Sequence, residues 1–184
     1  MSKSLTGRGL RIAAIACATA VVFADEQGGG YRPVLPSGGN VAFLETFQDA
    51  SSSTFGAFVR SEIEKYGNDQ PVKIVQDKDG LPGDFVMSLS QRAKHYAVTA
   101  PLKTPVNFAT NGDGGVVVQY EVRWPQEGDN CGGAYVKLFA KETLPDLKRV
   151  NDQTPYVVMF GPDKCGSTSK VHLIFRHRNP ISGE

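Results

Sequence analysis

Apolar and polar side chains alternate along several short stretches of this chain, with the period of two that is typical of β-strands buried on one face. The longest of these stretches predicts a strand from Val116 to Trp124. The apolar face of this strand carries Val118, Tyr120, Val122 and Trp124, and the polar face carries Gln119, Glu121 and Arg123. This pattern indicates a strand that packs one side against a core.

Shorter stretches of the same kind recur along the chain, separated by clusters of glycine, proline, asparagine and aspartate. They predict strands at Asn40–Phe47, Val72–Gln76, Phe85–Leu89, Tyr96–Ala100 and Val171–Arg176. We find no long amphipathic stretch with the 3.6-residue period of a helix. Short alternating strands with frequent turns predict an all-β fold, an antiparallel β-sandwich.

Two further strand-like stretches lie between Cys131 and Cys165, joined by a polar loop. In the first stretch, alternation places Tyr135, Lys137 and Phe139 on one face. A lysine between two aromatic residues is an unusual core pattern. It suits an exposed concave surface on which a charged donor is flanked by flat apolar rings.

The second stretch predicts a strand over Pro155–Phe160, followed by a turn at Gly161-Pro162-Asp163. Simple alternation places Tyr156 and Met159 on opposite faces of this strand. Both side chains reach one surface only if the strand bends or bulges between them.

The first 24 residues predict a secretory signal peptide. A basic leader with Lys3, Arg8 and Arg11 precedes an apolar stretch at Ile12–Phe23, which is shorter than the ~20 residues of a membrane span. A buried amino-terminal helix is the alternative. Residues 25–39 are rich in glycine and proline and predict a flexible lead-in to one domain over residues 40–184. The later sequence predicts no membrane anchor.

The charge gives no indication of a nucleic-acid partner, because the formal net charge is only +1. Of the three cysteines, Cys17 lies in the predicted signal peptide, which leaves Cys131 and Cys165 in an oxidising compartment. A disulfide between them is the favoured prediction. The alternative is a metal site that uses both cysteines with His172 and His177. Structural zinc sites usually take their cysteines in close pairs, whereas these two are 34 positions apart.

Several long motifs resemble the calnexin and calreticulin family of lectin chaperones in the endoplasmic reticulum. The resemblance lies in CGGAYVKLF, PYVVMFGPDKCG and KVHLIFRHRNP, and begins near Tyr31. LPGD at Leu81–Asp84 and RAKHYAV at Arg92–Val98 favour the calnexin branch. The resemblance implies a concanavalin A-like jelly-roll β-sandwich. It covers only the first part of the family's globular domain, so we expect the closing C-terminal strands, the partner-recruiting arm and any anchor to be missing from this chain.

The resemblance also implies a site for the terminal glucose of monoglucosylated N-glycans on unfolded glycoproteins. The family positions that line this site correspond to Tyr135, Lys137, Tyr156, Met159 and Asp163. Together they supply the hydroxyl, ammonium and carboxylate groups and the flat apolar surfaces that sugars need. The alternative interpretation is that Tyr156 and Met159 belong to the core and that Lys137 is simply solvated.

A calcium ion is the cofactor that the resemblance implies. Thr46 and Asp84 fall on positions similar to the family's structural calcium site, although serine usually occupies the position of Thr46. Calcium prefers hard oxygen ligands from several segments. A single aspartate in a turn, however, is ordinarily only a turn former.

Catalysis finds no support in the sequence, which contains no GxSxG, HExxH, phosphate-loop or CxxC motif. A glycosidase needs a pair of carboxylates around the sugar, and Asp163 has no evident partner. We therefore expect a binding protein of the endoplasmic reticulum lumen, or of its membrane if an anchored full-length form exists. The alternatives are a jelly-roll interaction protein that binds unfolded polypeptide without sugar, and a non-functional truncated form.

Overall fold

The computed structural model describes most of the chain after the predicted signal peptide. The described residues are 31–37, 40–49, 55–66, 72–107, 115–124, 131–143 and 146–183. The predicted signal peptide, with Cys17, and part of the lead-in lie outside the described residues. All further structural statements concern the described ranges.

Regular structure in the described residues consists of strands and two short 3-10 helices. The strands are β1 Val59–Arg60, β2 Val72–Gln76, β3 Phe85–Leu89, β4 Val98–Thr99, β5 Cys131–Gly133, β6 Val136–Leu138, β7 Val158–Cys165 and β8 Thr168–Phe175. The 3-10 helices span Lys141–Thr143 and Leu147–Arg149. The predicted all-β class is confirmed, and the predictions of β2 and β3 match to the residue.

Every strand pair is antiparallel, as expected for a β-sandwich lectin domain. β1 pairs with β4 and β2 with β3, each as a two-stranded sheet. The largest sheet has β7 at its centre, with β8 along one edge and the short strands β5 and β6 along the other. The break between β5 and β6 falls at Ala134 and Tyr135, in the middle of the predicted CGGAYVKLF strand.

The most completely buried side chains surround β1, β2 and the second 3-10 helix. The buried apolar residues there are Tyr66, Val72, Ile74 and Val150. Ser61 is 2% exposed, and its hydroxyl donates a hydrogen bond to the Val150 carbonyl at 3.0 Å. Because a buried hydroxyl without a partner is costly, this bond fixes β1 against the segment that leads into β7.

The turn predicted at Gly161-Pro162-Asp163 is wrong, because β7 runs through these residues to Cys165. The hairpin turns later, at Gly166, which has φ +55°. Pro162 is tolerated in the strand because its nitrogen faces the break between β5 and β6. At that break its carbonyl still accepts a bond from the Ala134 amide at 3.0 Å.

The strand predicted over Val116–Trp124 is also not formed in residues 115–124. Burial follows the predicted alternation only in part: Tyr120 and Trp124 are half-buried, but Val118 and Val122 of the same predicted face are 38% and 41% exposed. The first predicted strand, Asn40–Phe47, is likewise not a strand. Phe47 has φ 59°, a left-handed conformation that ends an extended run.

Candidate functional site

The candidate site lies on one face of the sheet formed by β5, β6, β7 and β8. Lys137 on β6 is paired with Met159 on β7, so the two side chains share a face. Gly133 on β5 is paired with Asp163, four positions further along β7 and therefore on the same face. Met159 and Asp163 are thus four residues apart on β7, with their side chains on one face of the sheet.

Tyr156 joins this surface because it precedes β7 and does not follow the strand's alternation. The chain bends at Val157, where the amide donates to the Leu138 carbonyl at 2.8 Å. The Lys137 ammonium nitrogen consequently lies 4.9 Å from the centroid of the Tyr156 ring. A cation–π contact of this kind contributes about 0.5–1 kcal/mol at an exposed site. The bend required by the sequence pattern is therefore present.

Tyr135 and Asp163 form the other part of the site. The Tyr135 hydroxyl donates a hydrogen bond to Oδ2 of Asp163. The ring lies directly against Gly133, where an added Cβ would come within 2.2 Å of ring carbons. Glycine at position 133 therefore leaves the space through which the tyrosine reaches Asp163.

The environment of Tyr135 keeps its phenol protonated. Burial raises the pKa of Tyr135, and the hydrogen bond and negative charge of Asp163 raise it further, to about 12. Tyr135 is nevertheless 37% exposed, so its ring stays accessible to a ligand. The Tyr135 proton is used in the bond to Asp163, so the remaining lone pairs of the two side chains are acceptors for a ligand hydroxyl.

His172 also lies on this face, although the sequence placed it only in the alternative metal site with the two cysteines. It lies on β8 and is paired with Gly161, which is midway between Met159 and Asp163 along β7. Its ring packs edge-on against Tyr135, with 6.0 Å between centroids, and Nε2 is 4.0 Å from Oδ2 of Asp163. The alternation of KVHLIF was the available signal, but it shows a face only once the partner strand is known.

The disulfide between Cys131 and Cys165 closes the end of this sheet. Their Cα atoms are 4.0 Å apart, and the two residues are directly paired across β5 and β7. The disulfide lies two residues along each strand from the Gly133–Asp163 pair. Since both cysteines are in the disulfide, the alternative metal site with His172 and His177 is not formed.

These groups together suit a polyhydroxylated ligand. The ammonium of Lys137 and the phenol of Tyr156 are donors, Asp163 and the Tyr135 hydroxyl oxygen are acceptors, and the aromatic and Met159 side chains offer apolar contact. Such a set of groups has the chemistry to contact both hydroxyls and an apolar face of one ligand.

Comparison with known proteins identifies the family. The model of the calreticulin family matches residues 43–184, well over half of the chain. The chain belongs to the calreticulin family. Calnexin from Caenorhabditis elegans is 43% identical over 125 residues, which are 68% of this chain and 19% of that protein. Calnexin from Caenorhabditis briggsae is 42% identical over the same length. Human calmegin is 40% identical over 153 residues, which are 79% of this chain and 24% of calmegin.

This calreticulin-family chain therefore spans about a fifth to a quarter of the length of these relatives. The matched region includes every strand of the structure and every predicted site residue. The described part of the chain contains no helix with the length and apolar composition that a membrane crossing requires.

The two residues predicted to hold calcium lie in neighbouring segments. The Gln48 side-chain amide donates to the Thr46 carbonyl at 2.9 Å and to the Phe85 carbonyl, next to Asp84, at 3.4 Å. Burial, then the negative charges of Asp84 and Glu121, raise the pKa of Tyr31.

The donor chemistry of these segments fits calcium, because hydroxyl, carboxylate and carbonyl oxygens are the hard ligands that it prefers. In the described ranges no group of three or more histidine, cysteine, aspartate or glutamate residues is gathered to hold a metal ion. A calcium ion bound here would need further oxygen ligands beyond Thr46 and Asp84, because its shell takes six to eight oxygens.

Proposed function

We propose that this chain forms part of a lectin chaperone of the endoplasmic reticulum lumen that binds monoglucosylated N-glycans on unfolded glycoproteins. Membership of the calreticulin family supports the proposal. The observation that carries the proposal is that five side chains with the chemistry to contact a sugar lie on one face of the sheet. They are Tyr135, Lys137, Tyr156, Met159 and Asp163.

The proposed role is binding, not catalysis. Lys137 would donate to sugar hydroxyls, and the Asp163 carboxyl and the Tyr135 hydroxyl oxygen would accept from them, since the Tyr135 proton is used in its bond to Asp163. Tyr156 and Met159 would cover the apolar side of the ring. Every one of these interactions is reversible, as a chaperone that releases its client requires.

A glycan array tests the proposal directly. The full chain is compared on matched high-mannose glycans with and without the terminal glucose. Selective retention of the glucosylated glycan supports the lectin function. Equal retention of both glycans, or of neither, contradicts it.

Replacing Lys137→Ala is expected to weaken binding of the monoglucosylated glycan by roughly fivefold to thirtyfold. The reason is the loss of one charge-assisted hydrogen bond, worth ~1–2 kcal/mol. Titration calorimetry measures the change. Lys164→Ala is the matched control, because Lys164 lies on β7 next to Asp163 but on the opposite face. Equal effects of the two substitutions would place the sugar elsewhere.

We further propose that Thr46 and Asp84 contribute oxygen ligands to a calcium ion, which would tie the two segments together. Calcium should then raise the melting temperature of the chain relative to the same buffer with a chelator. At a calcium concentration a hundred times its dissociation constant, the gain is about 2.7 kcal/mol.

Asp84→Asn is expected to remove most of this calcium response. Asp79→Asn is the control, because Asp79 lies in the same turn region and is exposed. Differential scanning calorimetry with calcium or chelator measures both variants. An undiminished calcium response in Asp84→Asn would contradict the assignment.

A second candidate function, binding of unfolded polypeptide without sugar, is favoured by the outer side of β8. Val171, Leu173 and Phe175 alternate along this strand and are 68%, 64% and 63% exposed. An exposed apolar strand of this kind can contact apolar segments of unfolded chains. Binding of an unfolded, glycan-free protein, together with indifference to glucose on the array, would favour this function.

A further inference from the structure

The Tyr120 hydroxyl lies beside the candidate site, at the break between β5 and β6. It donates a hydrogen bond to the Ala134 carbonyl at 2.8 Å and lies 3.3 Å from the Phe160 carbonyl. A phenol has one proton to donate, so the shorter contact with Ala134 is its main bond. Tyr120 therefore contacts the residue that immediately precedes Tyr135.

Ala134 is held at both of its backbone groups. Its amide donates to the Pro162 carbonyl at 3.0 Å, and its carbonyl accepts from Tyr120. The ladder with β7 is interrupted here, because Ala134 belongs neither to the β5–β7 pairing nor to the β6–β7 pairing. The tyrosine supplies the hydrogen bond that the sheet would otherwise provide.

The surroundings of Tyr120 are shaped to keep its hydroxyl in this position. Its ring packs edge-on against Phe160, with centroids 5.9 Å apart and planes at 88°. Gly161 leaves room for the hydroxyl, since an added Cβ would lie 2.3 Å from it and 2.1 Å from the Ala134 oxygen. Burial raises the pKa of Tyr120, which further disfavours loss of the proton that it donates.

We propose that Tyr120 is a positioning residue of the candidate glycan site. By fixing the Ala134 carbonyl, it sets the bend from which Tyr135 reaches over Gly133 to Asp163. Tyr120 is not one of the five predicted site residues, and its effect would pass through the Ala134 carbonyl to Tyr135. The effect on glycan binding rests on the proposed lectin function, whereas the effect on Tyr135 does not.

Tyr120→Phe removes the hydroxyl and keeps the ring against Phe160. We expect this variant to bind the monoglucosylated glycan roughly fivefold to tenfold more weakly, as expected for the loss of about one hydrogen bond at Tyr135. The dissociation constant of the double variant with Tyr135→Phe should lie within about twofold of that of the more weakly binding single variant, because both changes remove the same interaction. In the double variant with Lys137→Ala, the loss of affinity should instead equal the product of the fold-losses of the two single variants.

A second measurement does not depend on sugar. The protein is prepared with isotopically labelled tyrosine, and the ring signals of Tyr135 are followed by NMR. The chemical shifts of these signals should change in Tyr120→Phe. Tyr96→Phe is the control: Tyr96 also takes part in a hydrogen bond through its hydroxyl, with the Gln91 amide, but does not contact the site. A general loosening of the fold would move the Tyr135 signals in both variants.

The outcomes separate the two proposals. Shifted Tyr135 signals in Tyr120→Phe, in a chain that binds no glycan, leave the positioning role standing and overturn the lectin function. Glycan binding that is unchanged in Tyr120→Phe, with unshifted Tyr135 signals, overturns the positioning role alone. So does a double variant with Tyr135→Phe whose losses simply multiply.

A fluorinated tyrosine at position 120 covers the case in which Tyr120→Phe does not fold. It keeps the hydroxyl but ionises at lower pH, so the donor can be removed by raising the pH of the folded chain. The Tyr135 signals should then shift as the pH rises through the pKa of the substituted phenol. A fluorinated tyrosine at position 96 should leave them in place, and unshifted signals with the substitution at position 120 overturn the proposal.

Discussion

Reduction of the Cys131–Cys165 disulfide is expected to lower the free energy of unfolding by up to ~4 kcal/mol, the chain-entropy value for a bridge over 34 positions. The loss should fall mainly on β5, which has only three residues and pairs only with β7 among the described strands. Because Gly133 and Asp163 are the last pair of that ladder, the Tyr135–Asp163 contact should loosen first. The Lys137–Tyr156 contact depends on β6 and should persist longer.

Denaturant unfolding with and without a phosphine reductant measures this loss. The double variant Cys131→Ser with Cys165→Ser is the control, since its stability should be low and independent of the reductant. Glycan binding should fall in parallel with the stability of β5. An unreduced chain that reacts with two equivalents of a thiol reagent would show that the disulfide is not formed.

The parts of the fold that depend on local pattern could be predicted from the sequence. β2 and β3 match their predicted bounds because each is a five-residue stretch of strand-forming residues between turn formers. The turn residues Gly161 and Pro162 misled the prediction of β7. A proline normally ends a strand, but here its missing amide faces the interruption between β5 and β6.

The stretch from Val116 to Trp124 shows a different limit of sequence patterns. Its alternation predicted the half-buried Tyr120 and Trp124, but Val118 and Val122 on the same predicted face are exposed, and the segment pairs with no described strand. Both burial and strand pairing depend on distant segments that a local pattern does not show. Tyr120 on this segment consequently contacts the β7 sheet through its side chain rather than through a ladder.

The candidate site shows the same division. The resemblance gave its five residues, and strand alternation correctly placed Tyr135 and Lys137 on one face. It could not place Tyr156 and Met159 together, because the bend at Val157 lies outside the regular strand. His172 was missed as part of this face because its position depends on the register between β7 and β8. Whether these residues bind sugar and calcium stays a prediction that the experiments above test.

Gly161→Ala is expected to lower the free energy of unfolding by roughly 3 kcal/mol or more, among the larger effects of single substitutions. Gly161 is buried and has φ +154°, a conformation that side chains rarely adopt. Its added Cβ would lie 2.1 Å from a backbone oxygen, which cannot move aside as a flexible side chain can. The substitution therefore combines backbone strain with a steric clash.

Gly166→Ala separates these two contributions. Gly166 also has a positive φ, +55°, but an added Cβ there meets nothing within 4 Å. Only the backbone cost of about 1–2 kcal/mol should remain. Chemical denaturation of both variants gives the difference, which is the cost of the clash. If Gly161→Ala were no less stable than Gly166→Ala, the close approach of Tyr120, Ala134 and Gly161 would be wrong. If it is less stable, as we expect, the clash displaces the Ala134 carbonyl, so the same variant should also lose the Tyr135 contribution to glycan binding.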